Sequence, residues 1–260
     1  MASDNFRFKQ FTVWHNRCAM KVGTDGVLLG AWCPLEVDSL QLAVDRLHYS
    51  VLDVGTGSGL IALMLAQRLN NLRQDVWIDA IDIEVNAVEQ ATYNFGLSAW
   101  AETLHAHHST LQEWKGTAQE SEGYDLIVSN PPYFQDSLKN PNAQRATARH
   151  TDSLSYSELI RHSVRLLKDT GKLAFVLPIE AESEILALAQ SHGLLPTHIT
   201  HVHTKPEKPA KRLLIMLERM SDSGDRVSES GKREADVFYI EGIDSPRSEE
   251  YKELTKDFYL

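Results

Sequence analysis

The chain has 260 residues, with 26 Lys and Arg against 36 Asp and Glu, so its formal net charge is −10. Hydrophobic residues make up 42% and charged residues 24%, which is globular usage and excludes collagen-like, low-complexity and wholly disordered classes. The acidic balance argues against loose whole-surface attraction to nucleic acid, while leaving room for a local basic patch.

No stretch approaches the roughly 18 uninterrupted apolar residues of a membrane span. The opening MASDNFRFKQFTVWH lacks the apolar core of a secretory signal, so a cytoplasmic protein is expected. Cys18 and Cys33 fit neither a CxxC nor a zinc spacing and read as two buried thiols. No metal site is expected.

In chain order, residues 1–33 carry Phe6, Phe8, Phe11, Trp14 and Trp32 and read as short strands or turns. Within KVGTDGVLLGAW, Gly23, Gly26 and Gly30 point to turns or to close backbone approach. From about residue 50, strands and helices alternate. SVLDV (Ser50 to Val54) is a short apolar run ending at glycines, hence a buried strand. Leu60 to Leu69 has helical spacing, VWIDAID (Val76 to Asp82) is a second strand, and Val85 to Phe95 a second helix. Leu104 begins a weaker strand, and YDLIVS (Tyr124 to Ser129) is a strong one. Leu154 to Leu167 reads as a helix, with Ser155 and Glu158 in capping-box spacing and Gly171 as its C-cap. KLAFVLP (Lys172 to Pro178) is a strand, Ala181 to Ser191 a helix, RLLIMLE (Arg212 to Glu218) a late strand, and VFYI (Val237 to Ile240) strand-like. Such alternation predicts an α/β chain with a doubly wound, mainly parallel sheet.

Two motifs carry chemistry. In DVGTGSG (Asp53 to Gly59), Gly55, Gly57 and Gly59 let the backbone turn tightly and approach a ligand. Asp82, closing the next strand, offers a carboxylate to the two hydroxyls of a ribose. A glycine triplet alone is weak evidence, and a turn serving only strand–helix packing has the same look. This run is G-x-G-x-G rather than GxGxxG, preceded by Asp53, and resembles motif I of class I S-adenosylmethionine-dependent methyltransferases. The second motif is Asn130-Pro131-Pro132-Tyr133. Pro131 holds Asn130 extended and the proline pair stiffens the next turn, so an amide and a main-chain carbonyl are presented at the end of a strand. Two acceptors suit the two N–H bonds of a planar amine, and the Tyr133 ring suits a flat base. The tetrad resembles motif IV of enzymes that methylate adenine, guanine or glutamine amides.

Three blocks, MKVGTDGVLLGAW (Met20 to Trp32), DVGTGSGLIALMLAQR (Asp53 to Arg68) and DLIVSNPPYF (Asp125 to Phe134), occur in an order and spacing that resemble the bacterial valine-tRNA adenine-37 N6-methyltransferases. FKQF, RCAMK and the ending KDFYL extend the resemblance nearly end to end. It implies a Rossmann-like class I methyltransferase with a seven-stranded, mainly parallel sheet and one reversed strand. It also implies S-adenosylmethionine as cofactor and the N6 amine of adenosine 37 in a valine tRNA as acceptor. Asn130, Pro131 and Tyr133 match the catalytic tetrad. Asp53, Gly55, Gly57 and Asp82 match the cofactor site, which Gly59 completes. Lys21, Thr24 and Asp25 match an N-terminal signature expected to cover the cofactor or target pocket. Residues 1–45 read as an extension bearing that signature, and 46–260 as the catalytic domain. One departure is that Ser109 and Thr110 stand where related enzymes usually carry an acidic residue near the cofactor's adenine.

Lys139, Arg145 and Arg149, in a stretch without acidic residues behind the tetrad, are candidates to hold RNA phosphates, and Phe134 to enclose the target base. HTKPEKPAKR (His203 to Arg212) adds Lys205, Lys208, Lys211 and Arg212 against Glu207. A solvated polar loop reads the same way in both places. The clusters His105, His107, His108 and His198, His201, His203 lack companion ligands and read as strand-edge or surface histidines. No obligatory protein partner is evident. Glutamine-amide methylation, ribosomal RNA methylation and a non-catalytic RNA-binding module remain open beside the leading reading.

Overall fold

The computed structural model describes residues 3–18, 20–35, 49–72, 75–117, 123–132, 154–220 and 235–260. Strands β1 (Asn5–Arg7) and β2 (Thr12–Trp14) pair antiparallel as an N-terminal hairpin. Phe8 and Phe11 of its turn are buried, while Phe6 is exposed and Trp14 half-buried. Phe8 stacks on Phe11 and on Tyr259 from the other end of the chain, and the Lys9 N–H donates to the Phe258 carbonyl at 2.8 Å.

The glycine-punctuated segment corrects one expectation. TDGVLLGAW is not a set of turns but helix α1 (Thr24–Trp32). The close approach is real, however. Gly26 and Gly30, four apart and so on one face, receive helix α2 (Leu60–Asn70). A Cβ on Gly26 would sit 3.1 Å from Leu60 Cδ2, and one on Gly30 would sit 2.8 Å from Met64 Sδ. Gly26 meets Leu60 and Gly30 meets Met64, so the two helices run parallel and begin at the same end.

The main sheet adds β3 (Tyr49–Val54), β4 (Val76–Asp82), β5 (Leu104–His108), β6 (Tyr124–Ser129), β7 (Leu167–Pro178), β8 (Leu194–His203), β9 (Ala210–Arg219) and β10 (Asp236–Tyr239). Their order across it is β10-β8-β9-β7-β6-β3-β4-β5. Only β9 pairs antiparallel with its neighbours, which matches the one reversed strand the resemblance implied. The sheet has eight strands, one more than the seven implied, with β10 (the strand-like VFYI) lying parallel on the free edge of β8.

Helices α3 (Val85–Gly96), α4 (Tyr156–Leu166), α5 (Glu182–Ser191) and α6 (Glu249–Thr255) complete the described α-helices. Strand periodicity sends alternate residues to opposite faces. Val51, Leu126 and Met216 join a core with α1, α2 and α3, whereas Leu52, Ile127 and Ile215 join a second core with α4 and α5. The expected capping box opens α4, since Ser155 Oγ accepts from the Glu158 N–H and Glu158 Oε2 from the Ser155 N–H. Gly171 does not cap that helix. The chain passes from α4 straight into β7, and Gly171 lies inside the strand, where a Cβ would fall 2.6 Å from the Tyr124 carbonyl oxygen. Strand β8 has no counterpart in the expected elements. Its LLPTHITHVH is largely half-buried, and Pro196 marks a register shift against β9.

Candidate active site

Parallel strands put their carboxyl ends on one edge, and the chemistry-bearing residues gather there. Behind β3, the glycine loop turns with φ of +72° at Gly55 and +56° at Gly57, values that L side chains rarely adopt. A Cβ on either would meet nothing within 4 Å, so both glycines border open space. Gly59 serves differently, because a Cβ there would lie 2.5 Å from Phe95 Cε1. Its absence lets α3 pack against the start of α2.

The loop is tied to the end of β4. Gly55 and Thr56 donate their N–H groups to the Ile81 carbonyl at 2.9 and 3.1 Å. Gly57 donates to Asp82 Oδ2 at 2.9 Å, and Glu84 N–H to Asp82 Oδ1 at 2.9 Å. Asp82 thus clamps the loop with one bond per oxygen, and a carboxylate oxygen can accept two. The next residue, Ile83, is 48% exposed and forms an apolar shelf beside the carboxylate.

Asp53 is wholly buried at the end of β3. Thr56 Oγ1 donates to its Oδ2 at 2.7 Å, while Oδ1 has no hydrogen-bond partner. Burial pushes this carboxyl up to about 7, against the pull of Thr56 and the nearby Ala62 backbone and with help from the charge of Asp82. A buried carboxylate with an orphaned oxygen, a second carboxylate close by, an apolar shelf and open ground over two glycines together fit a ligand carrying a cation, a ribose and a flat apolar ring. S-adenosylmethionine has those parts.

Asn130 stands at the same edge. Ser129 closes β6 opposite Val54, and Ser129 Oγ donates to the Val54 carbonyl at 2.8 Å. Asn130 is therefore level with Gly55, one strand away. It is half-buried, Pro131 is buried and Pro132 is exposed. Tyr133, Phe134, Lys139, Arg145 and Arg149 lie outside the described residues.

The N-terminal signature reaches the same edge because α1 runs parallel to α2. Lys21 is exposed and Thr24 half-buried. Asp25 is held by Arg212 of β9, Oδ1 to Nε at 2.7 Å. Cys33 is buried as expected, but Cys18 is not: it lies half-exposed near Asp82, and its partial burial with that charge pushes its thiol up to about 11. At the departure noted in the sequence, the Ser109 N–H donates to the Asp82 carbonyl. The Ser109 hydroxyl donates to the Thr110 carbonyl, and that of Thr110 to Glu113 Oε2. Both hydroxyls are spent locally.

Sequence reasoning missed Asn94. It is buried in α3, its Nδ2 donates to the Trp14 and Ser58 carbonyls at 2.8 Å each, and its Oδ1 accepts the Trp14 N–H at 3.0 Å. One amide thus joins the N-terminal hairpin to the glycine loop. Beside it, buried Gln90 accepts the Arg17 N–H at 3.2 Å. Two uncharged amides in the inward stripe of an amphipathic helix were the available signal. The histidines of β5 lie on an edge strand as expected, His107 pairing with buried Asp79 at 2.8 Å and His105 stacking on Trp77 at 3.7 Å. Among the described residues, no group of three or more His, Cys, Asp or Glu side chains could hold a metal ion, and no helix is long and apolar enough to cross a membrane.

The family model described as the methyltransferase small domain matches residues 37–193. A Parabacteroides distasonis protein named tRNA1(Val) (adenine(37)-N6)-methyltransferase is 44% identical over all of this chain and 99% of its own. Proteins of the same name from Bacteroides fragilis and Trichodesmium erythraeum are 42% and 40% identical, again over all of this chain and 99% of theirs. Among solved structures, a predicted O-methyltransferase of Agrobacterium tumefaciens superposes with a TM-score of 0.58 at 18% identity, covering 90% of this chain and 96% of that one. The methyltransferase subunit of a type I restriction-modification system from Streptococcus thermophilus gives 0.53 at 18%, covering 80% and 47%. At those identities the likeness is one of fold, that of the class I methyltransferases. The eight-stranded sheet, the full-length relatives and the matching family model agree, and the chain belongs to the methyltransferase small-domain family and, within it, to the tRNA1(Val) (adenine(37)-N6)-methyltransferase family.

Proposed function

We propose that this chain transfers a methyl group from S-adenosylmethionine to the N6 amine of adenosine 37 in a valine tRNA. The observation that carries the reading is the placing of Asn130 at the end of β6, level with the glycine loop and its two carboxylates, in a chain 44% identical to a relative of that name. When bound, the cofactor supplies an electrophilic methyl on a sulfonium. Asp53 would face its cationic end, Asp82 its ribose and Ile83 its base, with Gly55 and Gly57 lying under the chain between.

The acceptor needs orientation rather than a strong base. The lone pair of an adenine amine is delocalised into the ring, and its proton can leave after transfer. The Asn130 amide oxygen and a main-chain carbonyl would hold the two N–H bonds and turn the lone pair toward the methyl, so the gain is one of proximity and electrostatics. Tyr133 would stack on the base, Phe134 enclose it, and Lys139, Arg145 and Arg149 hold the RNA backbone. Lys21, Thr24 and Asp25 belong to the wall over the pocket. Residues 1–45 serve as an extension to the catalytic domain of 46–260, and the enzyme works in the cytosol, where its substrate is.

The test is methyl transfer from labelled cofactor to total tRNA, ribosomal RNA, DNA and protein offered separately, with the product nucleoside identified by mass spectrometry. N6-methyladenosine in a valine tRNA is expected. Label in protein would move the reading to glutamine amides, and cofactor binding without any label to a silent RNA-binding module.

A further inference from the structure

The reversal of β9 has a consequence at the site edge. In a parallel sheet each carboxyl-edge connection leads into a helix, but here β8 and β9 are joined there by a tight turn over residues 204–209. Arg212 pairs with Pro178, three residues past the Phe175–Ser129 pairing, so at about 3.3 Å per residue the hairpin is already about 10 Å beyond the end of β6 at Arg212, and it runs on to the His203–Ala210 pair before its turn. With only β7 between β9 and β6, the lateral offset from Asn130 is about 10 Å. The turn is stiff. Pro206 and Pro209 restrict it, the Lys208 N–H donates to the Lys205 carbonyl at 3.0 Å, and the Lys208 carbonyl is bonded by His203 Nδ1 at 2.7 Å.

Its charges are sorted. Arg212 is held by Asp25 and Lys205 by Glu241, the latter at 3.3 Å on the surface. Lys208 and Lys211 are exposed and form no ion pair with any described residue, and Glu207 is the acidic side chain of the turn. On a chain of net charge −10, two uncommitted ammonium groups on a rigid tongue above the reacting edge are a local exception.

We propose that this β8–β9 hairpin is a second RNA-contacting element. Lys208 and Lys211 would bind backbone phosphates of the nucleotides flanking the target base, and Lys205 could exchange Glu241 for a phosphate. The inference rests on an RNA substrate, but its test reads binding and does not require turnover. Filter binding of valine tRNA to the full chain and to the Lys208→Ala/Lys211→Ala variant would be followed from 50 to 200 mM salt. Losing two phosphate contacts should lower the slope of log K against log salt by about 1.4, at about 0.7 per single-stranded phosphate, so the gap between the two proteins should shrink about sevenfold over that range. Cofactor affinity should not change. The control Lys252→Ala/Lys256→Ala removes the same charge from α6 and the residue that caps it. An unchanged slope in the hairpin variant, or an equal loss in the control, would overturn the proposal. A chain that binds this RNA but methylates something else would count against the proposed function and leave the hairpin standing.

Discussion

Asp53 gives the sharpest test, because it ties stability to ligand binding. Burial raises its carboxyl from 3.8 to about 7, and at about 1.4 kcal/mol per pH unit this makes the ionised form cost the fold about 4 kcal/mol well above neutrality. The sign comes from proton uptake. Between those two values the native state holds a proton that the unfolded chain has released, so the stabilisation is complete below the unfolded value and is lost as pH rises through 7. Asp53→Asn keeps an acceptor for Thr56 and removes the charge. The variant should therefore be more stable than the parent at pH 8 without ligand, with a rise in Tm of about 5–10 °C for about 3 kcal/mol in a chain of this size. At pH 5 the advantage should shrink by about 2–3 kcal/mol. Urea unfolding at both pH values measures this. In parallel, calorimetry should show that the parent releases about one proton on binding S-adenosylmethionine at pH 6, and that the variant binds it more weakly. The same stability difference at pH 5 and pH 8, or a variant less stable at pH 8, would refute the assignment of a strained, charge-ready carboxyl.

Asn130→Ala should lower kcat by about 10²–10³ while leaving the cofactor Kd within a factor of two, since it removes an acceptor for the target amine only; steady-state kinetics with equilibrium dialysis separates the two, and equal losses would mean a damaged fold. Asp82→Ala should weaken cofactor binding, because it removes both the ribose acceptor and the clamp on Gly57 and Glu84; an unchanged Kd contradicts the role. Gly30→Val places branched carbons where Met64 already sits within 3 Å of a Cβ, and overpacking of this kind costs about 1–3 kcal/mol. Its denaturation midpoint should fall, while Gly96→Ala, a glycine whose Cβ would meet nothing within 4 Å, should not behave the same way.

The central strands were legible because they are buried on both faces and so appear as short apolar runs. The glycine loop, Asp82 and Asn130 were legible because their chemistry needs those residue types beside a strand end. Glycine misled elsewhere. Gly26 and Gly30 serve helix contact and Gly171 serves strand contact, and nothing local separates those uses from turns and caps. Strand β8 escaped because half-buried His, Thr and Pro carry no clear alternation. Asn94 and the orphaned oxygen of Asp53 escaped for a different reason. Asn94 takes its meaning from Trp14, 80 residues away in sequence, and the Asp53 oxygen takes its meaning from what the fold leaves unpaired around it.

The contact between the N-terminal hairpin and residues 257–259 bears on the order of folding. Phe8 stacks on Tyr259, Lys9 bonds the Phe258 carbonyl, and Gln67 of α2 bonds the Asp257 carbonyl. Segments far apart in the sequence therefore share one aromatic cluster. Closing that contact joins residues separated by most of the sequence, so it carries a large loop-closure cost. The 257–259 segment thus docks on the hairpin and on α2 only after the sheet between them has brought the three together, as a late, non-local step.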